Sequence, residues 1–309
     1  MNKALSYARL YRWQNLLIIA LILYLFRYAI VLPSFGHYAG VPQLSSFDFF
    51  LLVLVTLGIS AAGYAINDYF DIRTDRINKP HKIVLGKALG RRHAIFSHKL
   101  LNAFALVLAL WLCYRIQHWP LVIWLVVIQA ILWWYSLRLK RRLLSGNLAV
   151  ALLAALPIIL VWYVEYHAAG GVAALPPGLI AAVNRPALFY ALFAFLSTMV
   201  REVLKDMEDL EGDRQTGCET IPVVMGMPAA RQAVTALLLL LVASLAVFQV
   251  FFFASGQRLL ALYLIALVQL PALVLIPATW RVNGEAGFGH LQLVAKLIML
   301  AGVVSMMLW

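Results

Sequence analysis

The chain has 309 residues, 64% of them hydrophobic and only 12% charged, with a mean hydropathy of +0.88. Water-soluble domains do not reach that apolarity, so the chain reads as an integral membrane protein. A net charge of +12 would suggest a nucleic-acid partner in a soluble protein, but here it reads as topology and none is expected. The two cysteines, Cys113 and Cys218, fall toward opposite sides and exclude a disulfide or thiolate framework.

Nine apolar runs are long enough to span a bilayer: 14–35, 47–67, 95–114, 120–137, 146–165, 186–204, 229–253, 258–280 and 288–309. All are read as helices, because a spanning segment must satisfy its own backbone and the alternating polarity of a barrel is missing. The expected fold is an all-α bundle of nine transmembrane helices forming one domain over 1–309. Most of the 25 Lys and Arg residues fall on the side of the N-terminus. The positive-inside rule makes that side cytoplasmic, in a multi-pass protein of the cell (inner) membrane.

Span 1 follows Lys3, Arg9 and Arg12 as a signal peptide would, but it is too long and has no small-residue cleavage site, so it is read as retained. Arg12-Trp13 reads as a headgroup anchor, Arg27 as a side chain that snorkels outward, and Pro33 with Gly36 as the end of the helix. Span 2 carries Gly58, Ala61, Ala62 and Gly63, which permit close helix contact. It delivers Asn67-Asp68-Tyr69-Phe70-Asp71-Ile72-Arg73-Thr74-Asp75 to the cytoplasmic rim.

On a helix turning about 100° per residue, Asn67, Asp71 and Asp75 share one face and Asp68 flanks it. Like charges at that spacing destabilise a helix unless a cation neutralises them, and an oxygen-only ligand set suits a hard ion such as Mg²⁺. Lys79, Lys82 and the basic segment from His81 to Lys99 suit a phosphate or a lipid headgroup. Span 4 ends at Trp133-Trp134-Tyr135-Ser136, and the cations that follow read as a stop signal. Tyr135 and Lys140 are also candidates to reach a phosphate, with Asn147 opening span 5 in the same cavity. The connection from His167 to Arg185 reads as an outer loop.

After span 6 comes a second acidic stretch, in which Glu202, Asp206, Asp209 and Asp213 follow i, i+4, i+7, i+11 and form one narrow helical stripe. Nine of the 13 acidic residues lie in the two stretches. Gly217, Pro222, Gly226 and Pro228 then break the helix. Spans 7 to 9 read as scaffold and as the wall of a lipid-tail cavity, and Gly287-Phe288-Gly289-His290 as a turn.

The chain crosses the membrane four times between the stripes, so both stand at one rim, in cytoplasmic segments near 67–99 and 201–228, and can oppose one another. Opposed carboxylates there hold Mg²⁺ ions that bridge to a diphosphate, with Lys79, Lys82 or Lys140 completing the neutralisation. An allylic diphosphate so held ionises to a carbocation while its tail stays dry between apolar helices.

These motifs resemble the UbiA-type intramembrane prenyltransferases, whose pattern is nine helices with NDxxDxxxD after helix 2 and DxxxD after helix 6. Here they stand as Asn67-Asp68-x-x-Asp71-x-x-x-Asp75 and Asp209-x-x-x-Asp213, the second within Lys205-Asp206-x-x-Asp209-x-x-Gly212-Asp213. The resemblance covers nearly the whole chain. It implies that Asn67, Asp71, Asp75, Asp209 and Asp213 hold Mg²⁺ and diphosphate, with Asp68 and Asp206 in the same motifs. Tyr135 and Lys140 resemble the family's Tyr/Lys element, one residue further apart than YxxxK. The second motif looks like the branch that prenylates geranylgeranylglyceryl phosphate, with aromatic acceptors of the 4-hydroxybenzoate or dihydroxynaphthoate type as the alternative. Glu202 either orients or deprotonates the acceptor or supports the metal shell.

Two other activities stay open. A membrane terpene cyclase uses the same ionisation without an acceptor. A cation transporter or channel needs polar groups at several depths, whereas these cluster at one rim and the outer halves of the spans are nearly uncharged. The partners expected are a prenyl diphosphate, an amphipathic acceptor and membrane lipids.

Overall fold

The computed structural model describes residues 3–38, 42, 44–80 and 83–309. Among them nine helices are long and apolar enough to cross a membrane: Trp13–His37, Ser46–Asn78, Arg91–Ile116, Pro120–Leu137, Ser145–Ala168, Pro177–Glu208, Gly226–Ala254, Arg258–Arg281 and Glu285–Leu308, spans 1 to 9 below. No strand longer than an isolated bridge occurs among the described residues.

Span 2 is the central element. Ser45 caps its start by accepting from the Asp48 backbone N–H at 3.0 Å. From there the helix runs unbroken for 33 residues, so that the whole first motif is presented from a rigid rod. Its small residues let span 3 approach, and His98 Nδ1 donates to the Ala62 carbonyl at 3.0 Å across that contact. In lipid, where apolar surface gains little from helix association, such close packing and interhelical bonds hold a bundle together.

Three expectations about helix ends are corrected. Pro33 does not end span 1, because a wide π-turn over Phe26–Val31 precedes it and makes room for the ring and the missing N–H. The same device, Ile265–Gln269 ahead of Pro271, keeps span 8 continuous. Span 6 begins at Pro177, so half of the expected outer loop is helix; a proline in the first turn forfeits no helical bond. The Gly287–His290 stretch lies inside span 9, entered through Gly284 at φ 76°.

Arg27 does not snorkel. It is 2% exposed, pairs with the fully buried Glu165 of span 5, donates to the Leu44 carbonyl and lies 4.5 Å from the centre of the Phe49 ring. The outer half of the bundle therefore carries one buried ion pair that hydropathy alone did not reveal.

Candidate active site

Spans 1, 2, 4, 5, 6 and 9 enclose a cavity of about 1090 Å³, above the roughly 300–1,000 Å³ usual for small-molecule pockets and large enough for a long-chain lipid. One end is polar and carries Asn67, Asp68, Asp71, Asp75, Lys79 and Asp209. The other is apolar, walled by Ile22, Leu125, Phe193, Val303 and Met306, and there Tyr190 and Ser305 share a hydrogen bond of 3.0 Å. Span 9 supplies part of this wall as expected; spans 7 and 8 stand outside it.

The two motifs meet through the end of span 2. Asn78 donates to the Asp209 carbonyl at 3.0 Å and accepts from the Gly212 N–H at 2.8 Å, while Thr74 and Thr216 hydroxyls lie 3.1 Å apart. A Cβ on residue 212 would run into the Asn78 side chain, so this approach requires glycine. Span 6 stops at Glu208, and Asp213 stands on a separate short helix, Leu210–Thr216. The expected single stripe of four carboxylates is thus two elements joined at Asp209.

Asp68, Asp71, Glu202, Glu208 and Asp209 each have a cationic or amide partner. Asp71 Oδ2 accepts from Asn67 Nδ2 at 2.6 Å and from Lys140 Nζ. Lys79 reaches Asp209 at 2.6 Å and Glu208 at 3.2 Å, and Lys205 stands 3.7 Å from Asp209. Arg12 pairs with Asp68 at 2.9 Å, and Arg201 with Glu202. Lys140 is delivered by a single turn, Leu139–Arg141, that packs against Gly146; any side chain at 146 would collide with the Lys140 backbone. Burial works to raise the Asp209 carboxyl, but Lys205, Lys79 and Lys140 outweigh it and hold the group below the ordinary carboxylate range. Burial pushes the Asp213 carboxyl up to about 6, against the pull of Lys205. Desolvation works to lower the Arg12 pKa, but Asp68 and Tyr64 outweigh it and hold the half-exposed guanidinium more firmly protonated than a free one.

Tyr135 and Glu202 line the cavity with the first motif. Asp206 does not: it accepts from Asn147 Nδ2 at 2.9 Å outside the cavity wall, which also removes Asn147 from the cavity. Asp213 is buried behind the wall. Lys82 lies outside the described residues. Sequence reasoning missed Arg12 as an Asp68 partner, Asn78 as the joint between motifs, and Lys205 and Arg201 as site cations. The last two were legible as positive charges within the acidic stretch; the first two pairings span 56 and 131 residues and had no local signal.

Among the described residues no three carboxylates gather into a ready-made ion cage. The donor set nonetheless fits Mg²⁺. Asn67 Oδ1 is buried without a hydrogen-bond partner beside the Asp71 carboxylate, and Mg²⁺ commonly takes one or two protein oxygens and fills its shell with water and substrate phosphate.

The sequence profile of the UbiA prenyltransferase family matches residues 29–288. The digeranylgeranylglyceryl phosphate synthase of Pyrococcus abyssi is 35% identical over 199 residues, 63% of this chain and 62% of that protein. The match thus spans less than two thirds of that relative. The digeranylgeranylglyceryl phosphate synthase of Methanopyrus kandleri is 30% identical over 256 residues, 82% of this chain and 84% of that one. Among solved structures, a UbiA homologue from Aeropyrum pernix K1 superposes with a TM-score of 0.63 at 19% identity, covering 99% of both chains. A UbiA homologue from Archaeoglobus fulgidus bound to GPP and Mg²⁺ gives 0.56 at 18% identity over 97% of this chain and 99% of that one. At these identities the structures speak to the fold.

Proposed function

The chain belongs to the UbiA prenyltransferase family, and we propose that it transfers a polyprenyl group from an allylic prenyl diphosphate to a geranylgeranylglyceryl-phosphate-type lipid acceptor, releasing diphosphate. The observation that carries this reading is a single cavity whose polar end gathers both acidic motifs and whose other end is apolar. Mg²⁺, when bound there, neutralises the departing diphosphate. Asn67, Asp71 and Asp75 on one wall and Asp209 on the other would hold it, with Asp68 and Asp213 adding charge behind them and Asp206 steadying the second motif through Asn147.

Lys79, Lys140 and Lys205 exchange their carboxylate partners for diphosphate oxygens as the substrate enters. The prenyl tail lies along the apolar wall, which keeps water from the allylic cation until the acceptor hydroxyl reaches it. Tyr135 offers its ring and hydroxyl to the reacting end. Glu202 orients the hydroxyl and takes its proton, since it stands seven residues before Asp209 and so about 10 Å deeper along the helix axis, at 1.5 Å per residue.

The cavity mouth faces the cytoplasm with the N-terminus, because most of the Lys and Arg residues lie on that side. The test is transfer in the purified protein with Mg²⁺, with EDTA, and in the variants Asp71→Ala and Asp209→Ala. The expected result is turnover with Mg²⁺ alone, and a loss of at least a hundredfold in each variant although each still inserts and unfolds cooperatively. Undiminished turnover in EDTA or in either variant contradicts the reading.

A further inference from the structure

The cavity holds a second polar cluster, on spans 1, 6 and 9, that the diphosphate end does not use. Gln292 of span 9 donates to Glu208 at 3.1 Å, which sets span 9 against span 6 at the level of the second motif. One turn further along span 9, about 6 Å at 1.5 Å per residue, Lys296 enters the cavity wall. Arg12, Lys79, Arg201 and Lys205 of the same wall each stand within ion-pair distance of a carboxylate. Lys296 instead donates to a neutral oxygen, Asn15 Oδ1, at 3.0 Å.

A cation inside a membrane span with only a neutral partner is costly to keep and calls for an anion. In the same cavity wall, Arg201 has its Nε buried with no hydrogen-bond partner, although its other end holds Glu202. Thr198, one turn before Arg201, is 1% exposed and its hydroxyl also lacks a partner. Three donor atoms thus line one cavity with no carboxylate paired to any of them. Glu202 and Glu208, the carboxylates nearest this space along span 6, are already engaged by Arg201 and by Lys79 and Gln292.

We infer that Lys296, with Arg201, Thr198 and Asn15, is the subsite that binds the phosphate of the lipid acceptor. This rests on the proposed transfer to a glycerophosphate lipid. It separates the two anionic substrates: the diphosphate is held by Lys79, Lys140 and Lys205, the acceptor phosphate by a different set of cations about a turn deeper, and the glycerol hydroxyl falls between them beside Glu202.

The experiment is calorimetric binding, without turnover, to the purified full-length protein. The ligands are geranylgeranylglyceryl phosphate, the uncharged geranylgeranylglycerol, phosphatidylglycerol and, as a control for folding, geranylgeranyl thiodiphosphate with Mg²⁺. The wild type should bind the phosphate lipid at least tenfold tighter than the uncharged one and than phosphatidylglycerol. Lys296→Gln should lose that tenfold preference, Lys296→Arg should restore most of it, and both should bind the thiodiphosphate within twofold of wild type. No preference for phosphate in the wild type, equal affinity for phosphatidylglycerol, or a preference that survives Lys296→Gln overturns the assignment. Because no product is read, these failures are distinct from a failure of prenyl transfer itself.

Discussion

At Asp71 and Asp209 the two motifs present carboxylates that lysines already neutralise, Lys140 on one and Lys79 with Lys205 on the other. Those ion pairs offset part of the charge of the nine acidic side chains in two short stretches while no substrate is bound, and each lysine is then in place to meet phosphate oxygens. Lys140→Met should therefore weaken binding of a non-hydrolysable prenyl diphosphate at least tenfold while leaving the Asp71 carboxylate uncompensated, a change read by calorimetry alongside thermal unfolding. Glu202, which lies deeper, should behave differently. Glu202→Gln should lower product formation at least tenfold yet change diphosphate affinity less than twofold; a large loss of diphosphate affinity with turnover of bound substrate intact would place Glu202 in the metal shell. The residue types of both motifs were legible from the sequence, because acidic side chains at helical spacing in so apolar a chain have few other uses. Their partners were not, since Lys140 reaches Asp71 across 69 residues and Arg12 reaches Asp68 across 56.

Between elements, the decisive joint is the end of span 2 against the break after span 6. Asn78 takes the Asp209 carbonyl and the Gly212 N–H, so the relative position of the motifs depends on one amide side chain and on the absence of a side chain at 212. Asn78→Ala would leave the Gly212 N–H without that acceptor, a loss of about 1–3 kcal/mol for a buried unmatched donor. Gly212→Ala should push the two elements apart. Both variants should lower transfer at least tenfold with Asp71 and Asp209 untouched, and wild-type activity in Gly212→Ala would show that the spacing is not critical. Helix existence was well marked by hydropathy. Helix ends were not, because Pro33 read as a stop and Pro177 as part of a loop, whereas a π-turn and a first-turn position absorb them.

Across the whole bundle, nine spans and their order followed from apolar runs. The cavity did not, because six spans contribute to it and no local pattern reports which helices are neighbours. The buried Arg27–Glu165 pair, which ties span 1 to span 5 far from both motifs, was hidden for the same reason. Removing one partner, as in Glu165→Leu, should destabilise the protein by about 3–5 kcal/mol by stranding a buried charge, whereas Arg27→Met combined with Glu165→Leu should cost far less. Equal melting temperatures for the single and double variants would show that the pair carries no such coupling. The central claim is transfer to a lipid acceptor in this cavity, and it is tested most directly by mass spectrometry of products. The purified protein is given geranylgeranyl diphosphate and Mg²⁺, first alone and then with geranylgeranylglyceryl phosphate, 4-hydroxybenzoate or dihydroxynaphthoate. The account predicts one product, the doubly prenylated glycerophosphate, formed only with the first acceptor. A prenylated aromatic, or a cyclic hydrocarbon formed without any acceptor, would contradict it.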